Sequence, residues 1–518
     1  MRMPCSGLTI VLLLSTFAAP QSTPPAASNK QDVTTVFQPG QTYRTTTRLV
    51  VLDVVATDGK GQPVTGLKAE DFVVTEDGQT QNISDFSFHR PGSPAQAARQ
   101  LPANVITNAP QFGGNSCFNV ILLDAINTDF SDHAFAQDLL IKYLDTNPAI
   151  QPTAIYALEN NLKLLHDFTT DTKALREVLS HYKSMGVSHL PDVYSAASPF
   201  ERRGTFQPTR QGRDAAFFGM TFLAQALAGY AGRKNLIWIS EGFPLNLFPD
   251  ALMGDSVLAV EDYSPIVEKI ADDLMAAQIA LYPVSAAGVS QTDQFPAHTA
   301  MAAMAQRTGG KTFFNRNDLD VGVRTSLDDG ATYYTLEYYP KSRTWDEKFR
   351  HIHVKVGQAG VKLSYRDGYY AVNPNTRFGE NTLTRQFSNA LAVTAPASTG
   401  INFQAAVIPP SPQTQKKVVV NFAIDPHGLT FQQGNDGLER AELNCVVWAY
   451  PAKGDPIRVE GHTINAALSP GDYATMMKSY FPYQRVLELK PGRYTLRLGV
   501  LDRTSGLIGA MSTPLVVP

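Results

Sequence analysis

The residues best suited to chemistry stand in one turn that follows an apolar strand. The run CFNVILL leads into Asp124, and Asn127, Thr128 and Asp129 follow closely. In an open α/β sheet, ligands bind outside the carboxyl ends of the strands, near the point where the strand order reverses. Carboxylate, amide and hydroxyl oxygens at such a place are suited to holding a ligand. The turn from Asp124 to Asp129 is therefore the first candidate site.

Strands and helices alternate along the central region, 112–329, that carries this turn. Its strand-like runs are almost continuously apolar, as in NLIWIS and IALYPVS. Between them lie segments with apolar residues at helical spacing, such as Phe135, Leu139, Ile141 and Leu144. Such alternation predicts a parallel sheet with helices on both faces, which is a Rossmann-like α/β fold.

The regions on either side are rich in β-branched residues and turn signals. Residues 36–92 offer about four strands and 330–373 about three, close to the seven of an Ig-like sandwich. We predict that the α/β domain is inserted into one Ig-like β-sandwich; two independent small β units are the alternative. Residues 91–112 are rich in Pro, Ala, Gln and Asn and are predicted to be a linker. Residues 374–400 are predicted to be a linker with a short helix, and 401–518 a C-terminal β-sandwich.

Composition limits the classes of protein to which the chain can belong. The chain has 518 residues, Lys+Arg 44 against Asp+Glu 47, and a formal net charge of −3. This balance argues against nucleic-acid binding, for which a basic domain is typical. The 43% hydrophobic content argues against disorder, and 3 Cys are too few for a disulfide scaffold.

The N-terminus has the pattern of an export signal. Arg2 precedes an uncharged apolar run that ends in small residues, which predicts a signal peptide over 1–19 and a linker over 20–35. An uncleaved anchor is the alternative, but the run is shorter than the ~20 residues of a membrane span. We therefore expect a secreted or periplasmic protein without an integral span. Cys117 and Cys445 then remain, and both are predicted to be buried free thiols, with a long-range disulfide between them as the alternative.

Four separated motifs resemble those of a known family and occur in its order. They are VLDVVATDGKGQPVTGLKAEDFVVTEDGQ, LLDAINT, RKNLIWISEGFP and the ending YYTLEYYP…FRHIHVKV…YRDGYYA. The strand that ends in Asp before amide and hydroxyl groups resembles the first metal-site motif, Asp-x-Ser-x-Ser, of von Willebrand factor type A domains. Over roughly 40–373, the chain resembles the VWFA-related family described from acidobacterial genomes.

The resemblance implies a metal-ion-dependent adhesion site. In that family, oxygens of the first motif, a Thr of a second loop and an Asp of a third hold Mg²⁺ or Mn²⁺. The metal leaves one position open for a carboxylate of the partner. Transferred to this sequence, the implied ligands are Asp124, Asn127, Thr128, Thr221 and Glu241.

Two positions depart from the family pattern. Ile126 stands where an oxygen is wanted, so one ligand is either missing or replaced by Asn127, and Glu241 stands where the family has Asp. The Thr is assigned to Thr221, with Thr209 as the competitor. The alternative to a metal site is that Asp124 caps the next helix while Asn127 and Thr128 shape the turn.

The function implied is binding to a protein or cell-envelope surface, as in cell adhesion, without enzymatic activity. A structural or assembly protein whose metal site has decayed is the first alternative. A hydrolase that uses Asp124, Glu241 and His166 is the second. Ser240 is a poor nucleophile for it, because ISEG lacks the first Gly of the Gly-x-Ser-x-Gly elbow.

Overall fold

The computed structural model describes residues 49–90, 101–102, 105–110, 117–147, 151–159, 161–183, 210–241, 264–286, 295–314, 319–342, 346, 348–371, 380–412, 414 and 417–518. The predicted signal peptide, 1–19, and linker, 20–35, lie outside these residues. The described residues all belong to one unit of contacts, Pro39–Pro518. Within them, no helix has the length and apolar character needed to cross a membrane.

Five strands come first in the described chain: β1 (Val50–Thr57), β2 (Phe72–Glu76), β3 (Gln79–Thr80), β4 (Ile83–His89) and β5 (Val105–Thr107). The α/β elements follow: β6 (Phe118–Asp124), α1 (Phe130–Thr146), β7 (Thr153–Leu158), β8 (Leu162–Thr169), α2 (Thr172–His181), α3 (Arg210–Leu227), β9 (Lys234–Ser240), α4 (Ser264–Ala276), β10 (Ile279–Ser285), α5 (Phe295–Thr308) and α6 (Leu319–Asp328).

Strands then dominate again: β11 (Tyr333–Tyr338), β12 (Phe349–Val356), β13 (Lys362–Ser364) and β14 (Gly368–Tyr370). A helix, α7 (Glu380–Ala390), lies in the segment for which a short helix was expected. The last elements are β15 (Ser398–Thr399), β16 (Phe403–Ile408), β17 (Val418–Ile424), β18 (Gln432–Gln433), β19 (Glu439–Pro451), β20 (Ile457–Leu468), α8 (Pro470–Met476), β21 (Phe481–Leu487), β22 (Gly492–Asp502) and β23 (Ile508–Val517).

The central sheet has the strand order β10-β9-β6-β7-β8. β10, β9, β6 and β7 run parallel, and the order reverses between β6 and β9, as in a doubly wound fold. The prediction of a wholly parallel sheet is wrong for β8, which pairs antiparallel with β7. The reason is the connection: the few residues between Leu158 and Leu162 allow a hairpin but no crossover.

Helices cover both faces of this sheet. Buried side chains of α3, α4 and α5, among them Met220, Ile270 and Met301, pack on one face. Those of α1, α2 and α6 pack on the other, around Leu140 and Leu175. Because both faces are buried, the strands are apolar throughout, as the sequence pattern predicts.

Strands from before and after the α/β elements share two further sheets. β1 pairs with β11 and β13, and β11 also pairs with β4. β2 pairs with β12, which pairs with β14. The two sheets enclose one core of buried side chains that includes Leu52, Val74, Leu336 and Val354. Pairing across the α/β elements is what an inserted domain requires; its Ig-like topology stays a prediction.

The C-terminal strands also form two sheets around one core, with orders β15-β23-β22-β19-β18 and β21-β17-β16-β5. The second sheet takes a strand from far upstream. β5 lies in the segment 91–112 that the sequence analysis treats as a linker, and it pairs with β16. The linker prediction is therefore wrong at Val105–Thr107, where a short β-branched run completes a distant edge.

Asn108 fixes β5 to the C-terminal sheets. Its amide nitrogen donates to the carbonyl oxygens of Ser398 and Ile401, both at 2.7 Å. Its amide oxygen accepts from the backbone N–H of Phe403 at 2.8 Å. The side chain is buried, so the backbone groups that it contacts lose their hydrogen-bond partner in a buried setting if the amide is removed.

We expect Asn108→Ala to lower the free energy of unfolding by about 2–3 kcal/mol, because it leaves three buried backbone groups without partners. Urea unfolding measures the loss. The matched control is Asn465→Ala on exposed β20, for which we expect a change within about 0.5 kcal/mol. Equal losses in the two variants would contradict this role for Asn108.

Candidate functional site

Asp124 ends β6 at the point where the strand order of the central sheet reverses. Leu123 pairs with Ile239 in the register of β6 and β9, so Asp124 lies next to Ser240 at the carboxyl edge. Period-two alternation puts the side chains of Trp238 and Ser240 on one face of β9. The position is the one at which ligands bind in open α/β sheets.

The Asp124 carboxylate is the centre of a buried hydrogen-bond cluster. Oδ1 accepts from the backbone N–H of Asn127 at 3.0 Å and from its amide nitrogen at 3.1 Å. Oδ2 accepts from the same amide at 3.1 Å, from Trp238 Nε1 at 3.0 Å and from Ser240 Oγ at 3.0 Å. Asp124, Asn127, Trp238 and Ser240 are all fully buried. We call these four residues the Asp124 cluster.

A second pair of hydrogen bonds joins the same turn to the end of β9. The backbone N–H of Glu241 donates to Thr128 Oγ1 at 3.2 Å, and that of Asp129 donates to Glu241 Oε2 at 3.1 Å. Asp129 is the residue that precedes the first turn of α1. The segment just before α1 is therefore held by side-chain hydrogen bonds to Glu241, the residue that follows β9.

The predicted metal ligands are only partly brought together. Asp124, Asn127, Thr128 and Glu241 lie at one edge of the sheet. Thr221 lies within α3 and makes no hydrogen bond to any of these four. Its competitor Thr209 lies outside the described residues.

The arrangement does not fit a Mg²⁺ or Mn²⁺ ion. Both oxygens of Asp124 are directed at protein donors, so neither is free for a metal without breaking the cluster. Ile126 packs into the core beneath α3 and adds no oxygen. Within the described ranges, no three His, Cys, Asp or Glu side chains converge on a point that suits a metal ion. Of the alternative, Asp124 does not cap α1, whose N-cap is Asp129, whereas the turn itself is held by the hydrogen bonds between Asp124 and Asn127.

The residues of the hydrolase alternative are separated. His166 lies on β8, two strands from β6, and its Nδ1 is 2.6 Å from the carbonyl oxygen of Asp167. It makes no hydrogen bond to Asp124 or Glu241 within the described part of the chain. Ser240 Oγ donates to Asp124 Oδ2 at 3.0 Å, and the Asp124 cluster contains no histidine.

Sequence analysis missed the two donors from β9. Trp238 is treated there only as part of an apolar strand, and Ser240 only as a failed nucleophile. A usable signal was present, because a Trp and a Ser two positions apart share a strand face near a buried carboxylate. What the sequence does not provide is the register that sets them opposite Asp124.

Burial raises the pKa of the Asp124 carboxyl to about 6, although hydrogen bonds from Asn127, Trp238 and Ser240 oppose the shift. Since the folded pKa is higher than the unfolded one, ionisation of Asp124 opposes folding. The contribution of Asp124 to stability is therefore complete below the unfolded pKa of about 3.9 and is lost as the pH rises through 6.

We expect the wild-type protein to lose about 2 kcal/mol between pH 4 and pH 7 relative to Asp124→Asn, which has no group to ionise there. Urea unfolding of both proteins at the two pH values measures the difference. Every other titrating group is present in both proteins, so the contributions of these groups to the pH dependence cancel in the comparison. Parallel pH profiles of the two proteins would show that Asp124 is not desolvated as described.

Neither a protein-family model nor a curated protein matches the sequence. Solved structures that are similar to the chain include von Willebrand factor type A proteins at low identity. One is a von Willebrand factor type A protein from Catenulispora acidiphila, with 10% identity, a TM-score of 0.25 and coverage of 84% of this chain and 74% of that one. Another is the ArnB paralog VWA2 from Sulfolobus acidocaldarius, with 9% identity, a TM-score of 0.21 and coverage of 86% and 75%.

The chain is also similar to proximal thread matrix protein 1 from the mussel byssus, with 9% identity and a TM-score of 0.27. That match covers 41% of this chain and 48% of the mussel protein, so the chain spans about half of its length. The α/β fold assignment rests on the strand order and on the helices that cover both faces, not on these scores.

Proposed function

We propose that the chain is a non-enzymatic protein-binding module that uses the carboxyl edge of its central sheet without a metal ion. The observation that carries the proposal is Phe130, which is 71% exposed and directly follows the turn fixed by Thr128, Asp129 and Glu241. Large aromatic side chains on a rigid support are typical anchors of protein interfaces. The position lies at the strand-order reversal, where the α/β fold binds ligands.

The wider assignment is part of the same proposal. We infer an exported protein of the VWFA-related family, with the α/β domain inserted in an Ig-like sandwich and a partner on the cell envelope. The four ordered sequence motifs and the β1–β11 and β2–β12 pairings support it. A structural or assembly role is the second candidate, because the Asp124 cluster occupies the place of the family's metal site.

Pull-down from envelope extracts tests the proposal. Wild-type protein, Phe130→Ser and the control Val516→Ser are used as baits, each with and without a chelator. Val516 is 62% exposed on β23, far along the chain from the proposed surface. We expect one partner that is retained in chelator, retained by the control and lost with Phe130→Ser. A partner that chelator releases would overturn the metal-free mechanism, and one that Phe130→Ser still captures would overturn the surface.

A further inference from the structure

A cavity of about 70 Å³ opens where β7, β8, the end of α3, β5 and the segment before β15 meet. Its polar lining comes from Tyr156, Asp167 and Tyr230, together with Thr107, Asn108 and Thr399. The apolar lining includes Leu164 and Leu227. Small-molecule sites favour such junctions, with an apolar wall and a few convergent polar groups.

Three of the polar residues are already used by the fold. Thr107 Oγ1 donates to the carbonyl oxygen of Phe403, and Thr399 Oγ1 donates to that of Ala226. Asn108 makes the three hydrogen bonds described above. These side chains build the cavity wall and have little capacity left for a ligand.

Three oxygens remain for a ligand. Tyr156 is 3% exposed, and neither its hydroxyl nor that of Tyr230 makes a hydrogen bond to any residue that the structure describes. Asp167 accepts from the backbone N–H of Phe168 with Oδ1 only, at 2.8 Å. Burial raises the pKa of both phenols, and the nearby charge of Asp167 raises both further, so the hydroxyls stay neutral.

The charge of the lining selects the ligand class. Asp167 is the one charged side chain among the lining residues that the structure describes, and no Lys, Arg or His is among them. An anion therefore gains nothing there. A primary ammonium group has three N–H donors, which equals the number of oxygens left over.

We propose that this cavity binds a primary ammonium group, carried either by a small free amine or by a lysine side chain of a partner. Asp167 supplies the opposite charge, and the Tyr156 and Tyr230 hydroxyl oxygens accept the remaining N–H groups. The site is separate from the carboxyl edge and from Phe130, so it does not depend on the function proposed above.

Calorimetric titration of the full chain tests the site with n-propylammonium chloride and with n-propanol, which has nearly the same shape but no charge. We expect a Kd of about 1 mM for the amine and binding at least about tenfold weaker for the alcohol. Nα-acetyl-lysine methylamide distinguishes the sources: tighter binding than propylammonium assigns a partner lysine, and weaker binding assigns a free amine.

Two variants locate the binding. We expect Asp167→Asn to weaken propylammonium binding about tenfold or more, since it removes the charge, and Tyr156→Phe to weaken it about threefold to tenfold. Asp138→Asn, an exposed carboxylate on α1, is the control and should bind as the wild type does. If one of these two variants has a much lower melting temperature than the wild type, Tyr230→Phe is measured in its place.

The proposal is overturned by equal affinity for amine and alcohol or by unchanged affinity in Asp167→Asn. It is also overturned if no saturable heat appears up to about 100 mM amine, which lies far above the expected Kd.

Discussion

Asp124→Ala is expected to lower the free energy of unfolding at pH 7 by about 3 kcal/mol, even in buffer that contains a chelator. The change removes the acceptor that four donors of the Asp124 cluster share: the backbone N–H and the amide of Asn127, Trp238 Nε1 and Ser240 Oγ. The loss of the acceptor lowers the free energy of unfolding by about 1–3 kcal/mol for each donor. Removal of the buried charge returns about 3 kcal/mol of that loss, as the raised pKa indicates.

The chelator makes this result diagnostic. If Asp124 were mainly a metal ligand, its loss from metal-free protein would relieve a buried charge and cost little. If it is the acceptor of the cluster, the loss is present without any metal. Urea unfolding of the wild type, Asp124→Ala and the exposed control Asp138→Ala provides the comparison. A loss for Asp124→Ala no larger than that of the control would refute the cluster as a structural element.

Arg233→Met is expected to destabilise the protein by about 3–5 kcal/mol, because it removes a buried cation that is paired on several sides. Arg233 Nη2 donates to Tyr282 Oη at 2.9 Å and to the carbonyl oxygen of Gly309 at 3.0 Å. Its backbone N–H donates to Tyr333 Oη at 3.3 Å. Tyr333 belongs to β11, so the residue joins the start of β9 to the sheet that flanks the α/β elements.

Charge makes the loss at Arg233 larger than that of an ordinary hydrogen-bond donor. Asp53 and Asp329 lie close enough to act on the Arg233 guanidinium, and both would remain after the substitution. The control is Arg440→Met, which removes an exposed pair with Asp436 and should leave the free energy of unfolding nearly unchanged. Thermal and urea unfolding measure both variants. A cost for Arg233→Met similar to that of the control would mean that the buried guanidinium contributes no net stability.

The sequence predicts most of the α/β architecture because that architecture follows from local patterns of apolar residues. Strands buried on both faces must be apolar along their length, and each is separated from the next by helical spacing. The same spacing does not identify the buried helix face. Phe135 is 47% exposed, whereas Ala136, Leu140 and Tyr143 form the buried face of α1.

Long-range pairing is what the sequence could not supply. β5 has only three residues, and nothing near it in the chain shows that its partner is β16, almost 300 positions away. Tyr156 and Asp167 are likewise ordinary strand residues until α3, β5 and the segment before β15 close a cavity around them. By contrast, Cys117 and Cys445 are buried and free as predicted, since this follows from residue type and strand position alone.

The most direct test of the central claim is a calorimetric titration of chelator-stripped protein with Mg²⁺ and Mn²⁺, followed by thermal unfolding at the final metal concentration. The claim is that the carboxyl edge is held by the Asp124 cluster and not by a metal ion. It predicts no saturable binding below about 1 mM and an unchanged melting temperature, since a ligand stabilises only the state that it binds. Stoichiometric micromolar binding that raises the melting temperature and disappears in Asp124→Ala would contradict it.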